Sequence, residues 1–200
     1  MNELLQRLEV YAVQNHVPII GKDSVRLLTD AVMAKKPRAV LEIGTAIAYS
    51  TLLIAANAAE DAKITTIELD PARAEMARKV INQASRQSSI EVVEGDAAQI
   101  LPELTGPFDL VFIDAAKGQY LKYLLQVIDK LLPGAVIIAD NILFRGMVKG
   151  GAVVPRRYRT IVTRLRAYLD FVTTDLRFDT IVHETGDGVA VTYYRGENNH

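Results

Sequence analysis

The stretch Arg38-Ala-Val-Leu-Glu-Ile-Gly-Thr-Ala-Ile-Ala-Tyr-Ser-Thr51 restricts the possible folds more than any other. Ala39 to Ile43 is a short apolar run, β-branched enough to be a buried strand. Gly44 breaks it, and the small residues from Ala46 onward lead into Leu52, Leu53, Ile54 and Ala55, which read as helix. Strand, glycine turn and helix form the first half of a mononucleotide-binding βαβ unit. A side chain at the turn would hold a ligand away from the backbone, hence the glycine. A dinucleotide fingerprint would need glycines at 46 and 49, where Ala46 and Tyr49 stand, so a pyrophosphate cradle is disfavoured.

The same rhythm continues down the chain. Further strands are expected at Lys63 to Glu68, Ser89 to Glu94, Leu110 to Ile113 and Ala135 to Ala139. Between them fall a helix from Ala72 to Ala84, capped by Asp70-Pro71, a short one near Ala97 to Leu104, and a long one from Lys117 to Leu132. That long helix should turn Leu121, Leu124, Leu125 and Ile128 inward. Two helices precede the first strand, the second capped by Asp23. A glycine-rich segment, 142 to 154, is of the length usually kept for function. It leads into a helix begun by Pro155, and a closing hairpin ends at Arg195. The expectation is a doubly wound α/β, Rossmann-like sheet, mostly parallel, with an antiparallel C-terminal strand at its edge. One domain should span 1–200, with N-terminal helices over 1–36 and the core over 37–195.

Composition narrows the function classes. Half of the 200 residues are hydrophobic, and there is no cysteine, so neither a disulfide framework nor a thiolate site is available. No run is long and apolar enough for a membrane span, and the N-terminus lacks a basic signal start, which makes the cytoplasm the expected location. His16, His183 and His200 lie far apart and read as ordinary. The formal charge of −1 hides an asymmetry. From Asn141 to Leu169 stand Arg145, Lys149, Arg156, Arg157, Arg159, Arg164 and Arg166, without one Asp or Glu. Such a block is either a solvated helix face or a surface for a polyanionic partner.

In a parallel sheet, ligands bind beyond the carboxyl ends of the strands. Those ends read Glu42-Ile43-Gly44, Glu68, Asp96, Asp114 and Asp140-Asn141, an acidic rim that helix capping alone does not explain. Glu68 lies about where an acid accepts hydrogen bonds from a ribose. Asp114 and Asp140 end neighbouring strands, and two bare carboxylates in a cleft repel. A divalent cation removes the conflict, and with Asn141 the three hard oxygen donors suit Mg²⁺ rather than zinc. Lys117, three residues after Asp114, is either a base made competent by the neighbouring cation or a neutralising charge for the rim.

These residues resemble the metal-dependent O-methyltransferases, the family of catechol and caffeoyl-CoA O-methyltransferases. The likeness rests on Leu41 to Ser50, Ile67 to Asp70, Glu94 to Ala97, Phe108 to Tyr120 and Ala139 to Asn141. Val17 to Ile20, the Arg-rich helix and Gly186 to Ala190 are most similar to a bacterial branch that includes tRNA 5-hydroxyuridine methyltransferase. The resemblance implies S-adenosylmethionine as donor. Glu42, Gly44, Tyr49 and Ser50 would line its methionine end, Glu68 its ribose, Asp96 and Ala97 its adenine, with Ile20 and Asp114 also in contact. It implies Mg²⁺ on Asp114, Asp140 and Asn141, with Lys117 as base. The expected acceptor is 5-hydroxyuridine in a tRNA anticodon loop, held by Arg145, Lys149, Arg156, Arg157 and Arg159. A small catechol-like or caffeoyl-CoA-like acceptor and a non-catalytic RNA-binding domain are the alternatives. A homodimer is expected.

Overall fold

The computed structural model describes residues 1–150 and 153–197; positions 151 and 152 of the glycine-rich segment, and His200, lie outside the described residues. Seven strands form one sheet in the order β3-β2-β1-β4-β5-β7-β6. The central strand is β1 (Ala39–Ile43), flanked by β2 (Lys63–Glu68) and β4 (Phe108–Ile113), all parallel. β3 (Ile90–Glu94) and β5 (Leu131–Asp140) extend the parallel sheet on either side. The order in which the chain adds strands reverses between β1 and β4, which opens a crevice at the carboxyl edge.

Successive strand residues serve two cores, which is why these strands read as continuous apolar runs. Val40, Leu110, Phe112, Val136 and Ile138 face the helices α1 (Asn2–Asn15), α2 (Lys22–Lys35), α3 (Tyr49–Asn57) and α4 (Pro71–Gln83). Leu41, Val111, Ile113, Ile137 and Ala139 face α5 (Ala97–Ile100), α6 (Tyr120–Val127) and α7 (Arg159–Thr174). Among the described residues no helix is long and apolar enough to cross a membrane.

The C-terminal hairpin supplies the expected antiparallel edge as two strands, β6 (Phe178–His183) and β7 (Val189–Tyr194), with β7 between β5 and β6. Three expectations are corrected. The stretch from Lys117 is a 3₁₀ turn, then α6, then a second 3₁₀ turn, rather than one helix to Leu132. Its buried face carries Tyr120, Tyr123, Leu124 and Val127 and leaves Leu125 49% exposed. The two tyrosines bury their rings, and Tyr120 finds a partner for its hydroxyl inside, so tyrosine sets this face. β5 starts at Leu131, and Pro133-Gly134 lie within it, on the exposed side of a register shift against β4. Finally, Gly21 rather than Asp23 is the N-cap of α2, and Asp23 sits in the first turn.

Candidate active site

The carboxyl ends of the central strands are laced together by backbone. Gly44 N donates to Ile67 O at 2.9 Å, Asp114 N to Ile43 O at 2.9 Å, and Gly95 N to Glu68 O at 2.8 Å. Gly44 has φ +106°, and a Cβ there would lie 2.1 Å from the carbonyl oxygen of Asp114. The glycine is therefore demanded by the crossing of two strand ends, a stronger constraint than approach of a ligand.

Above these ends lies a cavity of about 490 Å³. Of the residues singled out from sequence, Ile20, Gly44, Tyr49, Ser50, Glu68, Asp96, Ala97, Asp114, Lys117, Asp140 and Asn141 all line it. Glu42 does not. It is fully buried beneath the turn, accepting hydrogen bonds from Ser50 at 2.6 Å, Thr51 at 2.5 Å and Thr66 at 2.6 Å. Its place below the sheet edge makes it the support of Ser50, not a wall of the cavity. Burial pushes its carboxyl up to about 7, against the lowering effect of the three hydroxyls.

Glu68 is buried and oriented by two main-chain amides, Ala46 N to Oε2 at 2.7 Å and Asp70 N to Oε1 at 2.9 Å. Each oxygen keeps a lone pair for a further donor. Asp96 faces the cavity while capping α5 through Ala98 N at 2.9 Å, so capping and lining coexist in one side chain. Tyr49 donates from its hydroxyl to Glu9 of α1 at 2.5 Å, and burial together with that carboxylate raises its phenol well above the usual range.

At the other end of the cavity the register Ile113↔Ala139 sets Asp114 and Asp140 side by side. Asp140 is 1% exposed, and its carboxyl is pushed upward by burial first and by Asp114 second. Its Oδ1 accepts from Ser24 at 2.7 Å and from Asn141 N at 2.8 Å. Its Oδ2 is buried without a partner. Lys117 Nζ donates to Asp114 Oδ1 at 2.5 Å and to the Tyr120 hydroxyl at 2.9 Å, and that hydroxyl donates to Asp140 O at 3.0 Å. The neutralising role considered for Lys117 is thus the one its present geometry performs. Among the described residues no three His, Cys, Asp or Glu gather, so any cation here would have two carboxylates and the Asn141 amide.

The basic block divides. Lys149 pairs with Glu184 at 2.7 Å, and Arg159, Arg164 and Arg166 donate to the backbone carbonyls of Val154, Gly118 and both Val148 and Met147. Arg145 and Arg157 instead gather over the Tyr158 ring, 5.7 and 4.6 Å from its centroid, with Phe144 edge-on to it.

Ser24, Glu9, Tyr120 and Thr66 escaped the sequence reading. For Ser24 a signal existed: it lies on the stripe of α2 that carries Leu28 and Val32, where a polar residue must find a partner.

A doubly wound sheet with a cavity and an acidic rim at its carboxyl edge has the architecture of a nucleotide-binding fold. The chain matches the O-methyltransferase family over residues 1–194 and belongs to it. It is 40% identical over 129 residues to a catechol O-methyltransferase of Mycobacterium tuberculosis, covering 64% of this chain and 55% of that protein. To a caffeoyl-CoA O-methyltransferase of Medicago sativa it is 32% identical over 162 residues, covering 76% of this chain and 64% of that one. The matched region is thus under two thirds of the length of these relatives. The O-methyltransferase TomG of Streptomyces achromogenes, solved in complex with SAM, superposes with a TM-score of 0.87 at 26% identity, over 97% of this chain and 90% of that one.

Proposed function

We propose that this chain transfers a methyl group from S-adenosylmethionine to a hydroxyl oxygen of an acceptor with two adjacent oxygens, using a divalent cation, Mg²⁺ by donor chemistry. The observation that carries the reading is Asp140 Oδ2, buried and unpartnered beside a second carboxylate in the cavity that Glu68 and Ser50 also line. When bound, the two groups supply an electrophilic methyl and a Lewis acid that eases loss of the acceptor proton.

This chain's residues do the rest. Glu68, fixed by two amides, would accept from the ribose hydroxyls. Of the lining residues, Gly44, Tyr49 and Ser50 would face the methionine end, Asp96 and Ala97 the adenine, and Ile20 would close the side wall. Asp114, Asp140 and Asn141 would hold the cation. Lys117 Nζ, once it leaves Asp114 Oδ1 and gives up a proton to solvent, would be the neutral amine placed to take the acceptor proton.

For the acceptor, the relatives named above support a small catechol-like or caffeoyl-CoA-like molecule. The exposed Arg145–Tyr158–Arg157 cluster favours a second reading, 5-hydroxyuridine in a tRNA anticodon loop, giving 5-methoxyuridine: a stacked base and its phosphates want an aromatic face flanked by cations. A non-catalytic RNA-binding domain would need neither donor nor cation. We also place the chain in the cytoplasm, and pair it with a second copy through the outer face of α1, where Val10, Tyr11 and Val13 are exposed. Light scattering that finds a monomer at micromolar concentration removes the pairing.

The deciding experiment measures turnover of a catechol with and without chelator, alongside nucleoside mass spectrometry of tRNA from a deletion strain. Chelator-sensitive catechol methylation with unchanged 5-methoxyuridine supports the small acceptor, and loss of 5-methoxyuridine supports tRNA. Calorimetry that finds binding of NAD but not of S-adenosylmethionine ends both.

A further inference from the structure

Ser24, a side chain of the N-terminal helices, grips the carboxylate of a candidate cation ligand. It stands in the first turn of α2, buried, and reaches Asp140 across 116 residues of chain. With Asn141 N on the same atom, Oδ1 of Asp140 already accepts two donors, its full complement of lone pairs. Oδ2 accepts none. The carboxylate, part of the cavity lining, therefore has one oxygen held and one without a partner.

Resting on the cation reading above, we propose that Ser24 is a positioning residue for the cation site. It fixes the Asp140 carboxylate so that Oδ2 alone is offered, as a one-oxygen ligand. The torsion that turns a carboxylate about its Cβ–Cγ bond is broad, so two donors on one oxygen decide its setting. With Ser24 shortened, only the Asn141 amide restrains that torsion. Because α2 belongs to the N-terminal helices, the proposal also makes cation affinity depend on an element that contributes no strand to the sheet.

The test is a titration with Mn²⁺, whose hard-oxygen preference matches Mg²⁺ and whose free ion is counted by its electron paramagnetic resonance signal. Removing a partner that orients a metal ligand weakens affinity by roughly ten- to a hundred-fold, which is the expectation for Ser24→Ala. Ser24→Thr, which keeps the hydroxyl, should restore affinity. Leu28→Val, which loosens the same stripe of α2 without touching Asp140, should stay near the wild type. Wild-type affinity in Ser24→Ala overturns the proposal, and so does a loss in Leu28→Val as large as in Ser24→Ala. A wild-type protein that takes up no Mn²⁺ overturns both this proposal and the cation reading beneath it.

Discussion

Single residues separate the two halves of the proposed chemistry. Asp140→Ala should abolish turnover with affinity for S-adenosylhomocysteine near the wild type, because the proposed role of Asp140 is to hold the cation and not the donor. Glu68→Ala should weaken that affinity by roughly ten- to a hundred-fold, the worth of hydrogen bonds to a charged group. Calorimetry on the two variants checks both, and equal donor loss in each would refute the division. Glu42 gives a pH signature. Its folded value of about 7 lies above its ordinary 4.5, so the folded state holds the proton more tightly than the unfolded chain. Stability is then greatest at low pH on this account, and falls as pH rises through that window, by up to about 3 kcal/mol. Urea unfolding of Glu42→Gln between those values should show a flatter pH profile than the wild type, whatever its absolute stability.

Elements explain where the sequence was readable. Strands β1 and β2 were legible to the residue, because each is an apolar run bounded by turn residues, and the rim acids follow from strand ends alone. The Ser24–Asp140, Glu9–Tyr49 and Tyr120–Asp140 hydrogen bonds were not, since no local spacing announces a partner 116, 40 or 20 residues away. Glu42 was misjudged for a related reason: a strand-end acid points to one face or the other, and three hydroxyls from α3 and β2 claim it below. The segment after Asn141 is held by the β6–β7 turn. Leu143 N donates to Asp187 O at 2.9 Å, and Arg145 N donates to the Asp187 carboxylate. Gly188, at φ +81°, leaves Leu143 Cγ only 2.3 Å from where a Cβ would stand. Gly188→Ala should cost about 3 kcal/mol in urea unfolding and open the segment near Arg145 to proteolysis.

Across the whole molecule, charge is sorted by use. Four of the seven basic residues between 141 and 169 serve the protein's own carbonyls and Glu184, so the raw count overstated the surface available to a polyanion. Of the remaining three, Arg145 and Arg157 lie over Tyr158, and Arg156 is exposed beside them in sequence. If tRNA is the acceptor, its binding should weaken linearly with the logarithm of salt concentration. Arg145→Ala with Arg157→Ala should then lower that slope by roughly 1.5. Filter binding over a salt series checks this, and a slope equal to wild type would assign those arginines to structure. Catechol turnover should be indifferent to the pair.

The contact between Gly44 and the Asp114 carbonyl bears on how such a protein could be retargeted. With the donor turn and the first carboxylate of the cation pair pressed together main chain to main chain, their separation is a property of the sheet. Side-chain exchanges elsewhere on the cavity wall leave that ruler untouched. An engineer can therefore redraw the lining without respacing the two strand ends.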